Sequence, residues 1–328
     1  MQIIIDLSNN TKYPNIDEFF GFAPWTLVYI HFQFWISFPA SLIGNSIVIY
    51  TSLKFHSLNM DRISCALLEN LAAADLVLVI VGGCSIYSTV LAKRWVLGKV
   101  GCIITFYLTL IGGGCEIFTL ATISLYRAVL LKNPFFFRGM SQSKIRVGLV
   151  CLWLAGSIFP LICFFLESII YYEPKEMSCT SSAYAMAGLD WYYLVVGLLF
   201  VLPMLVILAS NTVMLIVSIR YRRRMARMSS SDAADTSNMT AVLTVTCVCW
   251  LFMISWLPWI IVILCESYYG VDLPIWFSIF QQHLLGFNVV FNPVIYTLTN
   301  KSFKAVLKKK VYGPILSAVS RSEAETSL

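Results

Sequence analysis

Apolar positions along this chain neither alternate nor fall into narrow stripes; they come in unbroken runs. Trp25 to Leu53, Val147 to Leu166, Trp191 to Ile219, Thr236 to Cys265 and Leu273 to Asn300 contain no Asp, Glu, Lys or Arg. Each reaches the roughly 20 residues a helix needs to cross a bilayer. Arg62 to Leu91 and Val100 to Leu131 are as apolar, apart from Glu69 and Asp75 inside the first, which opens on Arg62, and Glu116 and Arg127 in the second. A membrane barrel would show short alternating segments, so continuous runs predict helices, which satisfy their backbone polar groups internally. The expected architecture is an all-α membrane protein, a seven-helix transmembrane bundle. Its helices cover about 25–53, 62–91, 100–131, 145–168, 187–223, 236–265 and 272–300. Residues 1–24 form an extracellular N-terminal segment, 25–300 the bundle, 301–312 a membrane-surface helix and 313–328 a cytoplasmic tail.

Composition agrees, with 59% apolar and 12% charged residues against the roughly 45–50% and 25% of a soluble domain. Basic residues of short loops concentrate on the cytoplasmic side. With the N-terminus outside, the inner segments hold 18 of the 23 Lys and Arg, whereas the outer segments carry nine of the seventeen acids. The net charge of +6 thus reflects topology. The run RYRRRMAR (Arg220 to Arg227) reads as a topology signal or a contact for anionic membrane lipids, and no nucleic-acid partner is expected. Asn9 heads a glycosylation sequon on the outer side. Eight cysteines lie in or at the ends of spans, whereas Cys102 and Cys179 lie at the outer face, where an oxidising exterior permits a bridge. The inner segment MARMSSSDAADTSN is polar and small enough to be flexible. After Asn300, Phe303, Val306, Leu307 and Val311 stand at helical spacing beside lysines, as in an amphipathic helix on the inner membrane surface. The terminal ETSL offers a carboxylate-capture motif for a PDZ-type partner.

Charges inside a span cost about 2.5–3.5 kcal/mol each on insertion scales, so Asp75 and Glu116 are candidate functional groups. On the third span Thr109, Gly113, Glu116, Leu120, Ile123 and Arg127 recur at spacings of three and four and share a face. Asn288, Asn292 and Tyr296 do the same on the seventh. Asparagines and threonines alone would serve as glue between helices. Two carboxylates ask for more: in a shared dry site they either bind a cation or share a proton. Gly112, Gly113 and Gly114 either allow close packing or open a cavity, and Trp256 and Trp259 supply a floor and wall for the latter. Pro203, Pro258 and Pro293 sit in the fifth, sixth and seventh spans, where each bends its helix. No nucleophile–base pair or metal constellation is visible, so no enzymatic activity is expected.

These features resemble the class A (rhodopsin-like) G-protein-coupled receptors over almost the whole chain. In order come GNSIVIY with Asn45, NLAAAD with Asp75, RWVLG with Trp95, Cys102 at the head of the third helix, Trp153, Cys179, Pro203, SWLP ending at Pro258, and NPVIY from Asn292 to Tyr296. The resemblance implies a Cys102–Cys179 disulfide and a packing switch of Pro203, Ile117 and Phe252 beneath the ligand pocket, with Trp256, Pro258 and Tyr296 in the same activation path. It also implies an allosteric sodium site at Asp75, Asn288 and Asn292, joined here by Glu116, and an Arg127 that meets a heterotrimeric G protein. No other cofactor is implied.

The departures are specific. Tyr126 and Ala128 flank Arg127 where the family usually has a carboxylate and a tyrosine, and Asn211 replaces the tyrosine eight residues after Pro203. They point to a weakened resting state with raised basal activity, or to impaired coupling. Thr109 occupies the amine-binding aspartate position and Gly286 that of the retinal lysine, so the chain resembles neither aminergic receptors nor opsins. The remaining pocket, Thr109, Gly113, Val195, Leu199, Trp256, Trp259 and Gln282, suits a neutral or lipid-like extracellular ligand, with a peptide as the second class. The expected function is a plasma-membrane receptor that activates G proteins. The alternatives are a receptor-like protein that binds without coupling and, more remotely, a transporter or channel, which inverted repeats and broken midplane helices would favour.

Overall fold

The computed structural model describes residues 28, 31–54, 61–90, 95–165, 170–173, 178–181, 197–228, 233–262, 265, 271 and 273–299, together with 304, 305, 307, 308 and 313. Seven long helical passages make up the described bundle. These are α1 (Phe38–Lys54), α2 (Arg62–Val90), α3 (Gly98–Lys132), α4 (Gln142–Gly156 continued by Ile158–Phe165), α5 (Leu202–Met228), α6 (Ala233–Val262) and α7 (Ile275–Thr299). Wider π turns, Gln33–Ser37 and Gly197–Val201, lead into α1 and α5. Ser157 does not break α4, because its N–H donates to Trp153 O at 3.0 Å and its own carbonyl accepts from Leu161 N at 3.1 Å. Trp35–Leu53, Arg62–Ser85, Gly98–Lys132 and Gly197–Arg220 are long and apolar enough to cross a membrane.

The bundle is all-α except for one outer hairpin, β1 (Ile170–Glu173) against β2 (Ser178–Ser181), antiparallel with Tyr172 opposite Cys179. Cys179 is disulfide-bonded to Cys102 at the head of α3, so the hairpin is fastened over the outer end. Trp95 stacks on Tyr172 with ring centroids 5.2 Å apart, and its indole N–H donates to Gly98 O at 2.8 Å. Gly98 has φ +64°, a left-handed value that a residue with Cβ adopts at a cost.

Two polar links tie helices together inside. Asn45 donates to Ser41 O and to Val289 O, both at 3.1 Å, joining α1 to α7. Asn70 donates to Thr119 Oγ1 at 2.8 Å and accepts from Trp153 Nε1 at 2.9 Å, joining α2, α3 and α4. The apolar core between them contains Leu71, Ile117, Leu120, Ile207, Met214 and Phe252.

Three expectations need correction. The flexible inner segment is largely helix: α5 runs through Met228 and α6 starts at Ala233. Met, Arg and Ala are good helix formers, and propagating an existing helix costs little compared with starting one. α4 begins at Gln142 and not near 145, because Ser141 caps it by accepting from Lys144 N. The three glycines do not all open a cavity. A Cβ on Gly112 would meet Leu78 at 3.0 Å, and one on Gly114 would meet the Gly156 backbone at 2.7 Å; only that of Gly113 faces Trp256, at 3.5 Å. Gly114 and Gly156 are where α3 and α4 touch backbone to backbone, the small-residue packing common in membranes.

Overpacking a tight contact costs about 1–3 kcal/mol when side chains absorb it, and here backbone must move. Gly114→Leu is therefore expected to abolish surface expression, while Gly113→Ala, which makes only ordinary van der Waals contact, leaves it near wild type. Cell-surface staining of the two variants checks this.

After α7, among the few described residues, Leu307 is buried in the main core cluster while Lys304 and Lys308 are exposed. The sequon Asn9, the pocket residue Val195 and the ETSL terminus lie outside the described residues, as do the side chains of Gln282, His283 and Tyr296.

Candidate functional site

Four groups of residues line the bundle from its outer to its inner end. The first is aromatic. Phe200, in the π turn before α5, lies 5.9 Å from Trp256 and 5.4 Å from Trp259, and the two tryptophans meet edge to face at 5.5 Å. The sequence reading passes over Phe200; its signal is its place three residues before Pro203, on the inward side of the turn. Thr109 is exposed, with its hydroxyl donating to Thr105 O at 2.8 Å. Leu199 and Trp259 are half-buried beside this cluster.

The second group is the acid cluster. Asp75 and Glu116 are 0% and 1% exposed, and Asn288 and Asn292 are equally enclosed. The structure pairs them across helices: Asn292 Nδ2 donates to Asp75 Oδ2 at 2.8 Å, and Asn288 Nδ2 donates to Glu116 Oε1. Asp75 Oδ1, Asn288 Oδ1 and Asn292 Oδ1 are buried without a partner. Three orphan acceptors in a site with two carboxylates form an all-oxygen, donor-poor set, and hard oxygens suit a cation such as sodium. These residues therefore fit the ion: Asp75, Asn288 and Asn292 would hold it with Glu116 beside them, and it would neutralise charge there. Among the described residues no group of His, Cys, Asp and Glu is arranged for a transition metal.

The third group is a packed layer of Ile117, Pro203 and Phe252 beneath the tryptophans. Ile117 and Phe252 are fully buried, Phe252 packs on Trp256 at 5.6 Å, and Pro203 is buried nearby on α5. Pro203 falls directly after a π turn, which absorbs the hydrogen bond its missing N–H cannot make. Pro258 and Pro293 are inside α6 and α7. Below, Ser124 Oγ and Cys249 Sγ meet at 2.9 Å across α3 and α6. Asn211 is buried and donates to Ile207 O at 2.9 Å, so it bonds within its own helix.

The fourth group surrounds Arg127. Arg127 is only partly buried, 25 residues after Cys102, about 37 Å along α3 at 1.5 Å per residue, at the end of the bundle opposite the disulfide. The structure adds a carboxylate that the sequence reading does not single out, held by the tyrosine next to the arginine. Tyr126 Oη donates to Asp61 Oδ1 at 2.6 Å. Asp61 precedes α2 and caps it, accepting from Ser64 N at 2.8 Å and from Ser64 Oγ at 2.6 Å. Burial pushes the Asp61 carboxyl up, but hydrogen bonds from Ser64 and Tyr126, helped by the Arg127 charge, outweigh it and hold it below the ordinary aspartate value. Phe137, from the turn after α3, packs on the Tyr126 ring at 4.7 Å, and the Arg127 guanidinium approaches the same ring at 6.0 Å.

Comparisons with known proteins agree with the fold. The family model described as 7 transmembrane receptor (rhodopsin family) matches residues 44–296. The thyrotropin-releasing hormone receptor of Gallus gallus is 24% identical over 82% of this chain and 74% of that protein. Melatonin receptor type 1B of Rattus norvegicus is 26% identical over 90% of this chain and 80% of its own. Among solved structures, squid rhodopsin superposes with a TM-score of 0.75 at 20% identity, covering 94% of this chain and 91% of the other, a likeness of fold.

Proposed function

We propose, from the premise that this chain belongs to the 7 transmembrane receptor (rhodopsin) family, that it binds an extracellular ligand and passes the signal to a heterotrimeric G protein. It is a receptor, not an enzyme, and a multi-pass protein of the plasma membrane. The observation that carries the reading is the continuity of the buried seam. Trp256, at the base of the aromatic cluster, packs on Phe252; Phe252 shares one core with Ile117, Ile123 and Tyr126; Arg127 follows at the inner rim. A ligand that prefers one packing of this seam shifts its equilibrium, and α6, weakened at Pro258, moves outward to expose Arg127.

The ligand pocket of this reading is Thr109, Gly113, Val195, Leu199, Trp256, Trp259 and Gln282. Its described members carry no charge, and the Thr109 hydroxyl is already spent on Thr105 O, which favours a neutral or lipid-like small molecule. The relative named for thyrotropin-releasing hormone leaves a peptide as the second class. Retinal bound as a Schiff base is disfavoured, because Leu273 to Asn300 contains no lysine. Sodium at Asp75, anionic lipid along Arg220 to Arg227 and a PDZ-type partner at ETSL complete the proposal.

The test is an unbiased ligand screen on cells expressing the chain with a promiscuous G protein. A hit should evoke a second-messenger rise that Trp256→Ala removes. Neither basal nor evoked signal across all G-protein families, at verified surface expression, would replace coupling with ligand binding alone.

A further inference from the structure

We propose that Asp61 supplies from the start of α2 the carboxylate that restrains Arg127, with Tyr126 as the relay, so that the resting state is held by a clasp between α2 and α3. The inference rests on the reading of Arg127 as the group that meets the G protein. Tyr126 is buried under Phe137, and its hydroxyl donates to Asp61 Oδ1, beside the Ser64 hydroxyl that also contacts it. Asp61 is fixed in turn by the Ser64 amide and hydroxyl, so neither end of the Tyr126–Asp61 bond is a freely rotating surface group. The bond is charge-assisted, a class worth more than a neutral one. Because Tyr126 and Arg127 are consecutive on α3, any rotation or axial shift of that helix that re-aims the arginine also pulls the hydroxyl off Asp61. The clasp therefore taxes the same motion that a carboxylate beside the arginine would oppose.

The hydrogen bonds from Ser64 and Tyr126 favour the negative form of Asp61, and the Arg127 charge acts on it in the same direction. Phe137 adds a mechanical link: the turn after α3 rests on the ring whose hydroxyl is clasped, so that turn and the start of α2 are released together. The raised basal activity suggested by the missing neighbour of Arg127 is thereby offset.

The experiment expresses the full chain as Tyr126→Phe, Asp61→Asn, the double variant and Asp61→Glu, each normalised to surface level. Tyr126→Phe removes one oxygen and leaves the packing on Phe137. Loss of a hydrogen bond to a charged group is expected to shift the resting-to-active ratio about tenfold, raising basal second messenger in both single variants. The double variant should signal no more than the stronger single, since both break one bond, and Asp61→Glu should stay closer to wild type than Asp61→Asn. Single variants that match a wild type whose signal Arg127→Ala removes would overturn the clasp and leave coupling standing. If wild type and variants alike stay at the mock level, coupling fails, and the clasp is read in the purified receptor by amide hydrogen exchange. Faster exchange at residues 61–65 and 135–140 in Tyr126→Phe supports it; unchanged exchange there overturns it.

Discussion

Arg127→Ala is expected to drop second-messenger output to the level of mock-transfected cells while surface expression and the Cys102–Cys179 disulfide stay intact. The arginine is partly exposed and stacks loosely on Tyr126, so truncation opens no cavity in the core and leaves no buried partner without a bond. Asp61 keeps its three hydrogen bonds from Ser64 and Tyr126. Folding should therefore survive, and the loss reports on signalling alone. Arg127→Lys retains a charge but not the planar fork of donors, and should recover only part of the output. Signal that persists in the alanine variant would show that coupling, if present, uses another contact.

The spans were legible because a bilayer demands runs of about 20 apolar residues, a requirement that no soluble helix shares. Cys102 and Cys179 were legible for a related reason, since they stand at the outer face while the other cysteines lie in or beside spans. What escaped the sequence is whatever depends on which helices touch. Gly112, Gly113 and Gly114 are consecutive and look alike, yet they face α2, the tryptophan on α6 and α4 respectively, because successive residues of a helix point 100° apart.

Asp61 escaped because the residues that flank Arg127 on α3 carry no acid, whereas the one that holds Tyr126 comes from a helix cap 65 residues earlier. Its one sequence signal is Asp61 three residues before Ser64 at the start of an apolar run, which marks a cap and not a relay. Phe200 escaped since an aromatic in an apolar span carries no pattern of its own. The helical extensions of α5 and α6 were missed because polar, small residues were read as loop, although Met, Arg and Ala favour helix once one is under way.

The acid cluster sets the second large effect. Sodium is expected to stabilise the purified receptor against heating relative to potassium or choline, and Asp75→Asn and Glu116→Gln should each remove most of that gain. A cation at a hundred times its dissociation constant adds about 2.7 kcal/mol, several degrees in melting temperature for a chain of this size. The alternative neutraliser is a proton shared between Asp75 and Glu116. A count of hydrogen-bonding groups separates the two. The Asn292 and Asn288 amides already supply one donor to each carboxylate, and three buried acceptors remain, Asp75 Oδ1, Asn288 Oδ1 and Asn292 Oδ1. A proton adds a single donor and can satisfy one of them. A sodium ion offsets one of the two charges, as a proton does, but attracts all three oxygens at once, at a site where leaving buried carboxylates uncompensated is costly. Protons and sodium compete for the same charge, so the sodium gain should shrink as pH falls. No sodium response, together with a pH dependence that Glu116→Ser abolishes, would reverse the choice in favour of the shared proton.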